Sequence, residues 1–448
     1  MGWVLYAAAL QRPVIISIMP IQHSFLLFLP LLLWSCGAAD TGADTPEGEA
    51  VPVRFDTYVA QNAASRAATQ PLSNITDIAS LRAAGFGVFG YYDDDKTYDS
   101  SVDTPNFMYN QQVTWNNGGS AWTYSPLKYW PNETGDAASG DRTDRLSFFA
   151  YAPYLSGDAR LNFSANNAKG DPTVTYTTPH DLGQCLDVLY ATQPGGTSPL
   201  TNLTKQNVGQ NVTFSFHHTM SRLNFNVRAA FDEIAAGSNA KADSTRITVE
   251  RITLETEGDA TTPLFFTTGT LNLRTGLWAK APSSSTGTGS TTGTPKIELS
   301  GDALGTDVRD QGDKCVSEMR DADKNIIPGV DNTWRNAGNG YLTLLPNPDL
   351  PAAAAPKLKV TIEYYTTSDD PRLVLSGGRS RVRNTATSTL SGFRFERGKA
   401  YAINILVGME TVKFTVQVQN WRDPITFAPI VDDWGDDGIN IDFDKIDP

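Results

Sequence analysis

The feature that most constrains this chain is a strict alternation of apolar and polar side chains in short segments bounded by turn residues. Val51, Val53, Phe55 and Val59 fall on one side of an extended segment, with Pro52, Arg54, Asp56 and Tyr58 on the other. Leu358, Val360, Ile362 and Tyr364 alternate with Lys359, Thr361 and Glu363 in the same way, and Val412, Phe414, Val416 and Val418 with Lys413, Thr415, Gln417 and Gln419. A period of two turns one face to a core and the other to water, whereas a helix needs a period of about 3.6. Half-exposed strands of this kind belong to antiparallel sheets packed as sandwiches, not to doubly wound α/β sheets.

The same reading predicts strands at Phe86–Tyr92, Phe107–Val113, Ala121–Trp130, Leu146–Tyr151, Thr173–Thr177, Leu186–Ala191 and Val212–His218. Beyond them it predicts Leu223–Val227, Ile247–Leu254, Leu264–Leu273, Tyr341–Leu345, Leu358–Tyr365, Tyr401–Val407 and Val412–Val418. Turn chemistry at Asp93-Asp94-Asp95, Asn116-Asn117-Gly118-Gly119 and Pro194-Gly195-Gly196 separates several of these. One short helix is expected over Ile75–Ala84, with Asn74 as its N-cap and Gly85 closing it. The Ser283–Pro295 stretch and the polar region Gly301–Gly340 read as loops. A boundary near residue 220, at His218-Thr219-Met220-Ser221, predicts an N-terminal sandwich over 51–220 and a C-terminal one over 221–448 that ends in an acidic segment.

Charge and motif content narrow the function. The 448 residues carry 36 basic and 49 acidic side chains, a net charge of −13, which excludes a phosphate-seeking nucleic-acid binder. No G-x-S-x-G elbow and no H-E-x-x-H motif occurs. Gly392 to Lys399 imitates a phosphate loop poorly, with five residues between its glycines and Ala400 where a magnesium-binding hydroxyl belongs. His217 and His218, adjacent on a strand, point to opposite faces and do not converge on a metal. Asp93-Asp94-Asp95 and the Asp432–Gly438 stretch could offer calcium their carboxylates, but they lack the D-x-[DN]-x-[DN]-G spacing and read as solvated acidic turns. No catalysis, cofactor or metal is therefore expected. The aromatics Trp115, Trp122, Tyr124, Tyr129 and Trp130 read as core, with a sugar-stacking platform as the alternative.

Near the N-terminus, the apolar run Phe25–Trp34 is too short to span a bilayer and reads as a signal peptide. Leu33-Trp34-Ser35-Cys36-Gly37 resembles the bacterial lipobox, which predicts a signal over 1–36 and lipidation of Cys36. Met19 is an alternative start. Residues 37–50, small and acidic, read as a flexible tether. The remaining cysteines, Cys185 and Cys315, are expected to stay unpaired.

Three further motifs carry a family resemblance. Tyr129-Trp130-Pro131 followed by Leu146-Ser147-Phe148-Phe149-Ala150-Tyr151-Ala152-Pro153, then Phe214 to Leu223 in the pattern F-x-F-x-H-x-x-S-x-L, then Phe395 to Tyr401 leading to Val418 and Trp421, resemble the Bacteroidales fimbrillin family of type V pilus subunits. The resemblance implies two tandem transthyretin-like β-sandwich domains, export as a lipoprotein and assembly at the outer surface without catalysis. It also implies removal of the first strand by an arginine-specific protease and filling of the vacated groove by another subunit's C-terminal strand. Carried onto this chain, Arg66 becomes the processing site, Val51, Val53 and Phe55 the displaced strand, and Ile439, Ile441 and Phe443 the donor. The partners implied are other pilus subunits, the outer membrane through the lipid, and an unidentified host or bacterial receptor. The long loops over 281–340 and the acidic end leave stalk, tip and anchor roles open. The alternative is a non-polymerising outer-surface lipoprotein that binds glycans.

Overall fold

The computed structural model describes residues 51–58, 72–131, 143–155, 157–205, 211–229, 245–258, 262–281, 295–300, 334–335, 341–350, 356–369, 372, 378–391, 394–407 and 412–420. Among the described residues, ten strands precede residue 220: β1 (Arg54–Tyr58), β2 (Phe86–Asp93), β3 (Met108–Asn116), β4 (Ala121–Thr123), β5 (Arg145–Ala152), β6 (Leu161–Phe163), β7 (Thr173–Thr177), β8 (Leu189–Thr192), β9 (Leu200–Leu203) and β10 (Asn211–His218). Twelve follow it: β11 (Ser221–Ala229), β12 (Thr245–Glu257), β13 (Phe265–Phe266), β14 (Thr268–Asn272), β15 (Leu277–Lys280), β16 (Lys296–Ser300), β17 (Trp334–Arg335), β18 (Leu342–Pro346), β19 (Lys357–Asp369), β20 (Arg379–Leu390), β21 (Lys399–Val407) and β22 (Val412–Asn420). Among the described residues one α-helix, α1 (Ile78–Ala84), lies before β2.

These strands form four sheets, so the chain is all-β. The order β1-β10-β8-β5-β2-β3-β4, with β9 beside β5, makes the largest; β13-β18-β11-β21-β22, with β17 beside β11, makes the second. The other two run β16-β12-β19-β20 and β15-β14-β7-β6. The ladders are antiparallel except for two: β1 runs parallel to β10, and β11 parallel to β21. Each half of the described chain thus begins with a strand laid parallel to a late strand of the same half.

Three apolar clusters underlie the sheets. The first gathers residues from Val53 to Phe216, and the second centres on β11, β12, β18, β19 and β21, with Leu182 and Cys185 reaching in from the N-terminal side. The third crosses residue 220: Phe89, Tyr151, Val174 and Tyr176 pack with Leu271, Trp278 and Leu345. The β7–β14 ladder carries the same crossing, from Thr173↔Asn272 to Thr177↔Thr268.

The alternation read from sequence lands where it should. Leu358, Val360 and Ile362 are fully buried and Tyr364 nearly so, while Lys359, Thr361 and Glu363 face outward. Other expectations need correction. The helix starts at Ile78 with Asp77, not Asn74, as its cap: Asp77 Oδ1 accepts from the Ser80 amide at 2.7 Å and Ser80 Oγ from the Asp77 amide at 3.2 Å. This reciprocal box closes the first turn with side chains that Asn74 is too far upstream to supply. Ala121–Trp130 is not one strand; β4 ends at Thr123, and of the remainder only Tyr129 bridges, to Pro52. Leu264–Leu273 divides into β13 and β14, which join different sheets. Trp334–Arg335, inside a region read as loop, pairs with Val227 and Asn226.

Candidate assembly site at the first strand

The N-terminal cluster is closed by β1, whose seat is built from β5, β10 and the stretch 122–130. Val53 is fully buried and Phe55 only 6% exposed, while Arg54 and Asp56 face solvent, as period-two spacing requires. The Phe55 ring stacks on Phe214 at 5.4 Å, meets Phe148 edge-on at 5.6 Å and leans on Tyr124 at 5.2 Å. Such pairs add to the apolar area a phenyl ring withdraws from water.

The backbone of this segment is held unequally. From Arg54 to Tyr58 its hydrogen-bonded neighbour is β10, in the register Arg54↔Asn211 to Tyr58↔Ser215. Just before, the Val53 amide donates to Lys128 O at 2.8 Å and the Trp130 amide to Val51 O at 2.9 Å. Two side chains add clasps: Tyr124 Oη donates to Val53 O at 2.8 Å, and Trp122 Nε1 to Thr57 Oγ1 at 2.9 Å. Burial pushes the Tyr124 phenol above its ordinary pKa, so it stays a neutral donor. Beyond Trp122 a groove of about 1100 Å³ opens between β1 and β4, lined by Arg54, Thr57, Ile78, Arg82, Trp115 and Leu127 among others. Arg82 lies over the Trp115 ring at 3.7 Å.

The structure therefore brings Val51, Val53 and Phe55 together on one seat, with Val51 half-buried beside the core. Cys36, Arg66, Ile439, Ile441 and Phe443 lie outside the described residues, as do the tether and Cys315. The Cys185 thiol is free and buried, and burial pushes its pKa up to about 11. Sequence reading missed the clasps from Trp122 and Tyr124, because 65 and 71 residues separate them from their partners and nothing in the alternation links those positions. Of the five aromatics offered as a sugar platform, Trp122 and Trp130 are buried in the core, Trp115 and Tyr124 are half-buried against it, and Tyr129 is 46% exposed.

The two downstream motifs are corners with a physical purpose. His217 and His218 point to opposite faces: His217 Nε2 lies 2.7 Å from Thr192 Oγ1, and His218 Nδ1 lies 3.0 Å from the buried Asp187 carboxylate. Asp187 also accepts from the Ile75 amide at 3.0 Å. Four residues on, Arg222 is buried, donates to Asn74 Oδ1 and lies 4.1 Å over the Tyr341 ring; burial pulls its pKa down to about 10. In the closing motif, Gly398 at φ +69 makes the turn into β21 and its amide donates to Met220 O at 2.8 Å. Tyr401 Oη donates to Arg394 O at 2.6 Å and accepts from the Glu396 amide at 2.9 Å.

Fold and site together define an all-β sandwich protein whose first strand fills a seat lined by aromatic side chains. The chain belongs to the fimbrillin-like family, whose sequence profile matches residues 80–421. It is 30% identical over 158 residues to the fimbrium subunit Fim1C of Phocaeicola vulgatus, a stretch covering 33% of this chain and 38% of that protein. Its fold is similar to the crystal structure of a fimbrial protein from Bacteroides vulgatus, with a TM-score of 0.55 and 22% identity over 83% of this chain and 99% of that one.

Proposed function

We propose that this protein is a structural subunit of a cell-surface fimbria, exported as a lipoprotein through Cys36 and joined to other subunits at the seat of β1. The observation that carries the reading is the seat itself. A strand buried deeply through Val53 and Phe55 yet laddered along Arg54–Tyr58 to β10 can leave without unravelling a sheet from within. Its departure would bare aromatic pockets and the edge of β10, which an extended segment with apolar residues at every second position satisfies together. Ile439, Ile441 and Phe443 have that spacing and serve as the donor from a neighbouring copy. Cleavage after Arg66 frees β1 together with its lipid. In this reading the chain comprises two tandem transthyretin-like domains meeting near residue 220, and the assembled fibre stands on the outer membrane and mediates adhesion.

The test is brief digestion of the mature chain with an arginine-specific protease, followed by N-terminal sequencing and electrophoresis without boiling. A new N-terminus at Ala67 with a detergent-resistant ladder is expected, and deletion of residues 438–448 should remove the ladder but not the fold. A ladder that survives this deletion would exclude the donor role of Ile439, Ile441 and Phe443.

A further inference from the structure

β1 and β4 are the two rims of the largest sheet, and the groove of about 1100 Å³ between them holds two cations, Arg54 on β1 and Arg82 on α1. Both are exposed, and among the described residues neither forms an ion pair or donates a side-chain hydrogen bond. In a chain of net charge −13, where carboxylates are plentiful, two guanidiniums left without one are available to an outside anion.

Arg82 is also held in place. Its Cζ lies 3.7 Å over the Trp115 ring, and Trp115 in turn meets the buried Trp122 edge-on at 5.3 Å. Stacking fixes the plane of the guanidinium but spends none of its N–H donors, so the fork that grips a carboxylate with two parallel bonds stays open. Asp56 is the one acidic residue that lines the groove, and its Oδ1 is turned onto the Thr57 amide at 2.7 Å.

The rest of the wall decides between kinds of anion. An incoming β-strand needs free backbone along β1, but the Val53 amide is taken by Lys128 O, Val53 O by Tyr124 Oη and the Thr57 amide by Asp56. What the wall offers instead is side-chain polarity, from the hydroxyls of Ser120 and Thr123 and the carboxamide of Asn211, beside the apolar Leu127. Such a mixture suits the hydroxyls and C–H faces of a sugar ring. The volume exceeds the roughly 300–1,000 Å³ that suits one drug-sized ligand, so a short oligomer fits. Two arginines carried by different elements call for acids on successive units, not for one terminal charge.

We propose that this groove binds an oligouronate, an acidic oligosaccharide whose successive sugars each carry a carboxylate, with Arg54 and Arg82 each gripping one of them. The site requires β1 in place, because Arg54 belongs to it, so the proposal concerns the uncut chain and does not rest on assembly at the β1 seat.

The experiment is calorimetric titration of the uncut mature chain with tri-galacturonate, and with maltotriose, sialyllactose and tri-aspartate as comparisons. One saturable site for tri-galacturonate is expected, weakening as salt rises. Arg54→Gln and Arg82→Gln should each weaken it about tenfold, the loss of one charge-assisted pair, and should keep a cooperative melt because both side chains are exposed. Arg82→Lys, which keeps the charge but not the fork, should recover only part of the affinity. Absence of heat at millimolar tri-galacturonate overturns the proposal, as does unaltered binding in both glutamine variants. Equal affinity for maltotriose or tri-aspartate overturns it as well, since the groove would then read shape alone or charge alone. Tighter binding of sialyllactose would mean that one terminal acid suffices, and the repeated-acid assignment would fall.

Discussion

β1 and β11 are counterparts, each opening its half of the chain and each lying parallel to a late strand, yet they are held very differently. β1 pairs over five positions with β10 and stands at the rim of its sheet. β11 pairs over eight positions with β21 on one side, and on the other with β18 from Ser221 to Leu223 and β17 at Asn226 and Val227. Both bury aromatic side chains: Phe55 is 6% exposed and Phe225 fully buried. Depth of burial therefore does not separate them. Position in the sheet does, because β1 leaves by breaking one ladder and the two backbone bonds its leading residues share with Lys128 and Trp130, while an interior strand must break two full ladders. The same supersecondary plan gives a rim strand in one half and an interior strand in the other.

The largest test of this contrast removes each strand's function outright. Phe225→Asp buries a charge among Leu223, Val249 and Ile403 and should abolish cooperative unfolding. A chain beginning after residue 58 should instead keep near-ultraviolet dichroism and a thermal transition from its C-terminal core, and recover its N-terminal transition when a synthetic 51–58 peptide is added. Loss of every transition on removing 51–58 would overturn the contrast.

Milder substitutions grade it. Phe225→Ala should cost about 4 kcal/mol and Phe55→Ala about 3 kcal/mol in urea denaturation, the rim site relaxing more readily around the cavity. The smallest effect belongs to the clasps: Tyr124→Phe removes the donor to Val53 O and should cost about 1 kcal/mol. Hydrogen exchange should then quicken at Val53 and leave the β11 amides untouched; uniform acceleration across both strands would mean that they open as one unit.

Much of this architecture was written in the alternation. The apolar sets at Val53 and Phe55, at Leu358 to Tyr364, and at Phe414 and Val416 all face cores, because a period of two admits one buried face and no helix. What escaped has physical reasons. β20 reads Arg-Ser-Arg-Val-Arg-Asn-Thr-Ala-Thr-Ser-Thr-Leu, whose apolar residues Val382, Ala386 and Leu390 recur only every fourth position and so show no period-two alternation. It is a strand because β19 offers a partner along all twelve of its residues, with Thr361 and Thr387 hydroxyls meeting at 3.0 Å. The parallel sense of the β1 and β11 ladders is equally invisible, since alternation reports which face is buried and not which neighbour or direction is chosen. Of the candidate site, the strand itself was legible, whereas its clasps at Trp122 and Tyr124 depend on contacts between distant segments.

The ladder between β7 and β14 also bears on the order of folding during synthesis. Residues 51–218 supply β1 and its parallel neighbour β10, so the rim seat can close once that stretch has left the ribosome. The third cluster cannot: Val174 and Tyr176 wait for Leu271 and Trp278, and for Leu345. β11 waits longer still for β21 at residues 399–407. A nascent chain therefore holds an unfinished core until nearly its last strands arrive, and pairings between segments so far apart close slowly. Full-length release, not the completion of either half, should be the event after which the molecule becomes protease-resistant.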